Sequence, residues 1–271
     1  MNQIYCWLGT TKQNVHQRLN REIEREEEKE QLKVILRQVR EDHPDMGCKA
    51  LYKKVNPETM GRDRFFDFYG EYGFKIAPKK SFRRTTDSTG VIRFPNLVKD
   101  RELTDINQVW VSDITYYEMN SKFYYLTFIM DQYSRRIIGY SASKTLKTVD
   151  TTVPALKMAL TRIKGDEEVK PIIHSDGGGQ YYSKEFLKLT KGYLRNSMCV
   201  NVYENPHAER INGTIKNSYL KGYNPTNLNE LNRKLSKAVY MYNHEKPHSS
   251  IHDYTPVEYE YRLNKELVTL N

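Results

Sequence analysis

Apolar residues recur along this chain with two different periods, and the change from one to the other divides it. Leu32, Ile35, Leu36 and Val39 fall at helical spacing after a charged run from Arg21 to Lys33, which predicts a long solvated helix with an apolar end. Ahead of it, Gly9, Thr10 and Thr11 supply a turn and an N-cap for a polar helix from Lys12 to Leu19. The second half of a helix-turn-helix and a short capped surface helix read equally from those residues. Asp45, Met46 and Gly47 introduce a helix through Ala50, Leu51, Tyr52 and Val55, which Asn56 and Pro57 end. Arg62 to Tyr72 resume a helix in which Phe65, Phe66 and Tyr69 read as core, giving two short helices about a turn and a second candidate helix-turn-helix.

Beyond residue 90 the pattern turns to strands. Val109 to Tyr117 is rich in β-branched and aromatic residues, Met119 to Lys122 make a turn, and Phe123 to Asp131 and Arg136 to Ser141 give two further strands. Short turns between consecutive strands imply an antiparallel meander. Thr148 to Ile163 reads as a helix crossing back, which tolerates Pro154 only in its first turn, and Val169 to Ser175 as another strand. Leu228, Leu231, Leu235, Val239 and Tyr242 mark a late helix, followed by Asn243, Pro247 and His248. The pattern predicts an α/β domain with a mixed sheet at 91–271, and the small polar stretch Thr85 to Gly90 separates it from a helical region at 1–90.

Charge adds a partner to this picture. Across 271 residues, 43 Lys plus Arg against 34 Asp plus Glu leave a net charge of +9, which favours a polyanion, nucleic acid before an anionic membrane. Lys75, Lys79, Lys80, Arg83 and Arg84 run without an acid between them and predict contact with a DNA backbone; Arg62 and Arg64 are candidates for phosphate or base contact. No apolar run is long enough to cross a bilayer and the N-terminus lacks the regions of a signal peptide, so a cytoplasmic protein without membrane contact is expected. Cys6, Cys48 and Cys199 are scattered and lack CxxC spacing, which points to neither a disulfide framework nor a zinc site.

Three acids stand out because each interrupts a pattern. Asp113 breaks the apolar run Val109 to Tyr117, where an unpaired carboxylate is costly to bury and calls for a partner such as a cation. Asp176 is delivered to the exit of a buried strand, followed by Gly177, Gly178 and Gly179; Asp-Gly also ends strands for purely conformational reasons. Glu209 lies on a helical stretch whose apolar stripe is Ile211, Ile215 and Tyr219, while Asn212, Gly213 and Lys216 share its other face. Three carboxylates from separate elements suit a hard, oxygen-seeking cation such as Mg²⁺. Asp131 also ends a strand and reads as a turn-forming acid, and His174 as a residue that orients its neighbours.

The blocks WVSDITYY, HSDGGGQY and NPHAERINGTIK resemble the three catalytic blocks of the OrfB transposases of bacterial insertion sequences, whose core is similar to retroviral integrases. PNLVKDREL, MDQYSRRIIGYS, YNHEKPHSS and TPVEY match in order as well, so the resemblance covers most of the chain. It implies a ribonuclease H-like fold preceded by a helix-turn-helix region, with Asp113, Asp176 and Glu209 as an acidic triad holding Mg²⁺ or Mn²⁺, two ions in all, and Lys216 positioning a phosphate. The implied activity is metal-dependent cleavage at element ends and strand transfer into target DNA, by a homo-oligomer on DNA and as one part of a fusion with an upstream-frame product. A ribonuclease H-like nuclease without strand transfer, and an inactive remnant that only binds DNA, are the alternatives. Between Asp176 and Glu209 lie 32 residues, a few short of the family's usual spacing, and the shortfall falls between Lys191 and Glu204 in a stretch read as loop.

Overall fold

A computed structural model of the chain describes residues 5, 7, 9–76, 94–163, 170–199 and 205–269. The chain divides into two compact units, Met1–Ala77 and Pro78–Asn271. The small polar stretch 85–90 that suggested a boundary lies outside the described residues, as do Lys79, Lys80, Arg83 and Arg84.

In the first unit one helix, α1 (Lys12–Asp42), replaces the two expected from the sequence. The Thr11 hydroxyl caps it by accepting from the Asn14 N–H at 3.1 Å, and no Gly or Pro follows to stop it before Asp42. Only its far end is buried: Leu32 and Leu36 pack with Met46, Leu51, Phe65, Phe68 and Tyr69. Those residues come from α2 (Cys48–Val55) and α3 (Arg62–Glu71), and from the turn ahead of them, α2 ending where Asn56 takes a left-handed turn at φ 44°. Phe66, expected in the core, is exposed. Phe65, Phe68, Tyr69 and Tyr72 make the stripe at helical spacing, and Phe66 lies one residue off it. Arg40 ties the unit together by donating to the Tyr69 hydroxyl at 2.7 Å and to the Phe74 carbonyl at 3.0 Å.

The second unit is built on a five-stranded sheet of β1 (Val109–Met119), β2 (Lys122–Asp131), β3 (Ile137–Ser143), β4 (Ile172–Ser175) and β5 (Arg195–Met198), in the order β3-β2-β1-β4-β5. The first three strands are antiparallel and β4 and β5 run parallel to β1. This arrangement, flanked by helices, is the ribonuclease H-like fold. Asn120 and Ser121, at φ 52° and 57°, form the two-residue hairpin between β1 and β2. Residues of β1 alternate between two cores. Val109 and Val111 meet Ile211, Ile215, Leu231 and Leu235 on one face; Trp110 meets Ala155, Leu156 and Phe186 on the other.

The crossing helix α4 (Thr152–Leu160) is shorter than its pattern predicted and takes Pro154 in its first turn, where no backbone bond is lost. It presses on β3 so closely that a Cβ on Gly139 would lie 2.2 Å from the Ala155 carbonyl oxygen, a position only glycine can fill. Two elements differ from expectation. The stretch after Lys191 contains β5, whose Arg-Asn-Ser-Met sequence carries no alternation, and α5 (Lys184–Thr190) leads into it. After α6 (Pro206–Gly213) and α7 (Leu228–His244), a last helix, α8 (Pro256–Thr269), brings buried Glu260 against Arg136 and Arg162 at 2.5 and 2.9 Å, and its other oxygen accepts from the Ser134 hydroxyl at 2.8 Å.

Candidate active site

Strand register brings the first two acids side by side. Val111 on β1 pairs in parallel with His174 on β4, so Asp113 and Asp176 each lie two residues beyond that pair, on neighbouring strands. Asp113 accepts from the Ile114 N–H at 2.8 Å and from the Asn212 amide at 2.6 Å. Asp176 accepts from the Gly178 N–H at 3.1 Å. The intervening Gly177 turns at φ +77°, in the left-handed region that glycine enters without strain.

Glu209 arrives from the first turn of α6, and that helix is laced along β1. Asn205 donates its amide to the Ser112 carbonyl at 3.0 Å, Asn212 to Asp113, and Lys216 its ammonium to the Thr115 hydroxyl at 2.6 Å and the Tyr116 carbonyl at 3.2 Å. The Tyr117 hydroxyl donates to the Leu220 carbonyl at 3.3 Å. Past Gly213 the helix widens into a π-helical stretch, Thr214–Leu220, which holds Lys216. Such stretches are rare and often sit at functional sites.

The electrostatics link all three acids. Burial, then the charge of Asp176, and more weakly that of Glu209, push Asp113 up to about 7, against the opposing hydrogen bonds from Ile114 and Asn212. Burial also raises Asp176, opposed by the Gly178 N–H. Burial lowers Lys216, and the charge of Asp113 opposes that shift. Among the described residues, no group of three or more His, Cys, Asp or Glu side chains stands close enough to hold a metal ion as it is. The donor set nevertheless fits a hard cation. It is all oxygen, its negative charges oppose one another, and the Asn212 side-chain oxygen beside it is buried without a partner.

The other sequence candidates fall elsewhere. Arg62 and Arg64 are exposed on α3 in the first unit, Arg62 held by Asp63 at 2.9 Å. Asp131 is buried and organises the β2–β3 turn, accepting from the N–H groups of Asn107, Tyr133 and Ser134. His174 is buried between the Ser197 hydroxyl at 2.9 Å and the Cys199 thiol at 3.3 Å. Sequence reading missed Asn205, whose position just before Pro206 at a helix start was its signal. It also missed the grouping of Arg135, His207, Arg210, Lys246 and His248. Burial, Arg135 and Arg210 lower His207 to about 4, and burial, Lys246 and Arg135 lower His248 to about 3.

Comparison with known proteins decides the family. Residues 104–194 and residues 200–256 each match a family described as an integrase core domain. The chain belongs to the integrase-core transposases of insertion elements. Proteins of this family are polynucleotidyl transferases of DNA transposition and integration. The chain is 29% identical over 258 residues to the insertion element IS600 uncharacterized 31 kDa protein of Shigella sonnei, covering 92% of this chain and 93% of that one. It is 32% identical over 170 residues to transposase InsF for insertion sequence IS3A of Escherichia coli, covering 59% of this chain and 55% of the relative. It is also 30% identical over 161 residues to the putative transposase for IS986/IS6110 of Mycobacterium tuberculosis, covering 57% and 58%. These last two matches span little more than half of the relatives' length. Among solved structures, the catalytic core domain of HTLV-2 integrase in complex with magnesium superposes at a TM-score of 0.46 with 24% identity, over 57% of this chain and 96% of that one. No helix among the described residues of this transposase is long and apolar enough to cross a membrane.

Proposed function

We propose that this transposase cleaves DNA at element ends and transfers the strands into target DNA, with Asp113, Asp176 and Glu209 as its catalytic acids. One observation carries the assignment: acids far apart in sequence meet electrostatically, and Asp113 is pushed up to about 7 by burial and by the charges of the other two. Mg²⁺ or Mn²⁺, two ions, would be held by these three carboxylates and, when bound, supply Lewis-acid activation of the attacking oxygen and stabilisation of the leaving one. The chain's own residues prepare the ground. Asn212 fixes the Asp113 carboxyl, Asn205 anchors the helix that carries Glu209, and the Ile114 and Gly178 N–H groups hold one oxygen each of Asp113 and Asp176. Lys216, braced on Thr115 and Tyr116, keeps a positive charge beside Asp113 where a scissile phosphate would lie.

In the same reading, residues 1–90 form the DNA-binding region, using Arg62, Arg64, Lys79, Lys80, Arg83 and Arg84, and residues 91–271 the catalytic core. The protein works in the cytoplasm as a homo-oligomer on paired ends, and as part of a fusion with an upstream-frame product. A DNA-binding remnant is the second reading, favoured by the shortened spacing of 32 residues between Asp176 and Glu209. Incubation of purified protein with labelled element ends and Mg²⁺ separates the readings. Joined products support the transposase, cleaved products alone a nuclease, and retarded but intact DNA the remnant. Asp176→Asn that still joins ends at the parental rate would overturn the catalytic assignment.

A further inference from the structure

Three cations with no task in that chemistry gather at the start of α6. Arg135, in the β2–β3 turn, donates its Nη1 to His207 Nδ1 at 2.7 Å. A guanidinium carries only donors, so this ring nitrogen accepts and the ring proton sits on the other one. Arg210 lies one turn into α6, exposed, and its charge acts on both Arg135 and Lys246. Lys246, from the loop after α7, stands 5.9 Å over the Tyr242 ring, against whose face His248 packs edge-on at 4.5 Å.

No described ion pair balances this charge. Among the described residues no carboxylate forms an ion pair with Arg135, Arg210 or Lys246. Asp131, the acid whose charge reaches Arg135, already has its oxygens filled by three N–H groups and the Ser134 hydroxyl. Arg135 Nε is buried without a partner. Like charges held together at partial burial raise the energy of the folded state unless an anion joins them, and three neighbouring cationic donors suit a tetrahedral, multiply charged group. The positive end of α6 adds to the field.

We infer that Arg135, Arg210 and Lys246 form a binding site for a phosphate group of the DNA backbone, separate from the three acids. That the phosphate belongs to DNA rests on the function proposed above. The geometry gives the strand a direction. Arg135 follows Asp131, which pairs with Trp110 near the start of β1, and Lys216 bonds to Thr115 and Tyr116 near its end. From Trp110 to Tyr116 is roughly 20 Å at strand spacing. A DNA strand gripped at both places would run along β1 with Asp113 between the grips.

The test measures binding of the full chain to a fluorescent element-end duplex by anisotropy, across a salt series in EDTA, so that no catalysis intervenes. Arg210→Gln with Lys246→Gln should flatten the slope of log affinity against log salt by about 1, the signature of one phosphate no longer neutralised. The thermal midpoint should hold or rise, since like charges have been removed, and Lys246→Arg should keep the parental slope. Arg210→Gln alone, at an exposed position, gives the same reading if the double variant folds poorly. Wild-type binding with an unchanged slope in the variants overturns this inference alone. Wild-type protein without salt-dependent binding overturns the DNA function and this inference with it. Inorganic phosphate at matched ionic strength distinguishes the source: if it raises the wild-type melting temperature while the DNA slopes stay equal, the site takes a small anion and the DNA assignment fails.

Discussion

Two aspartates of one sheet, half-buried Asp113 on β1 and buried Asp131 at the end of β2, make the most instructive contrast in the molecule. Burial pushes both carboxyls above their usual range. Around Asp131 the protein answers with three N–H groups and a hydroxyl, so the acid is consumed in shaping a turn. Around Asp113 it supplies one N–H and one amide, and adds two more negative charges. Burial alone therefore does not mark a reactive acid. What separates the two is the balance: at Asp131 four donors face the single opposing charge of Glu260, whereas at Asp113 two donors face the charges of Asp176 and Glu209.

Substitution should split the pair cleanly. Asp113→Asn or Asp176→Asn is expected to reduce strand joining by about 10³-fold or more, since a Lewis-acid site is worth several kcal/mol, while leaving duplex binding intact and the chain folded. Asp131→Ala should do the reverse. It strands buried N–H donors, costing about 3 kcal/mol in chemical denaturation, with residual activity that tracks the folded fraction. If Asp131→Ala abolished joining in fully folded protein, the distinction drawn between the two acids would be wrong.

Titration sharpens the contrast. Asp113 sits near 7 in the folded chain and at the ordinary 3.8 when unfolded, so between those values the folded state holds the extra proton. Stability from this group is therefore full below pH 4 and is lost as pH rises to 7. Without divalent cations, the wild type should fall behind Asp113→Asn by on the order of 2 kcal/mol across that window, and Mg²⁺ should restore much of the difference at pH 7. Parallel denaturation curves at pH 4 and pH 7 would rule this out. The smallest effect is expected from Lys216→Met. It removes one charge beside Asp113 and should slow joining about tenfold, close to 1.4 kcal/mol, at saturating DNA, and flatten the salt dependence of binding by about 1 through the lost phosphate contact.

Much of this was readable from the chain because each feature broke a local pattern. Alternating β-branched and aromatic residues marked β1, β2 and β3, and the three acids were conspicuous where a strand was interrupted, where it ended in glycines, and on the polar face of a helix. Asp131 was readable as a turn former for the same reason. The strand β5 was not, since four mixed residues at a sheet edge owe their conformation to β4 rather than to their own pattern. The length of α1 was obscured because a good N-cap and a charged run read as separate helices when nothing in between forbids one. The grouping of Arg135, Arg210 and Lys246 is a product of topology. Each looks like an ordinary surface cation until the β2–β3 turn, α6 and the loop after α7 are folded together.

The grip of Glu260 on Arg136 and Arg162 has a consequence for biosynthesis. Both arginines emerge from the ribosome long before the acid that neutralises them, so the turn that carries Ser134 and Arg136 is held from Asp131 alone until α8 has been made. Nonsense products ending ahead of Pro256 should then be recognised as unfinished and degraded, even though every residue proposed for chemistry is already present in them.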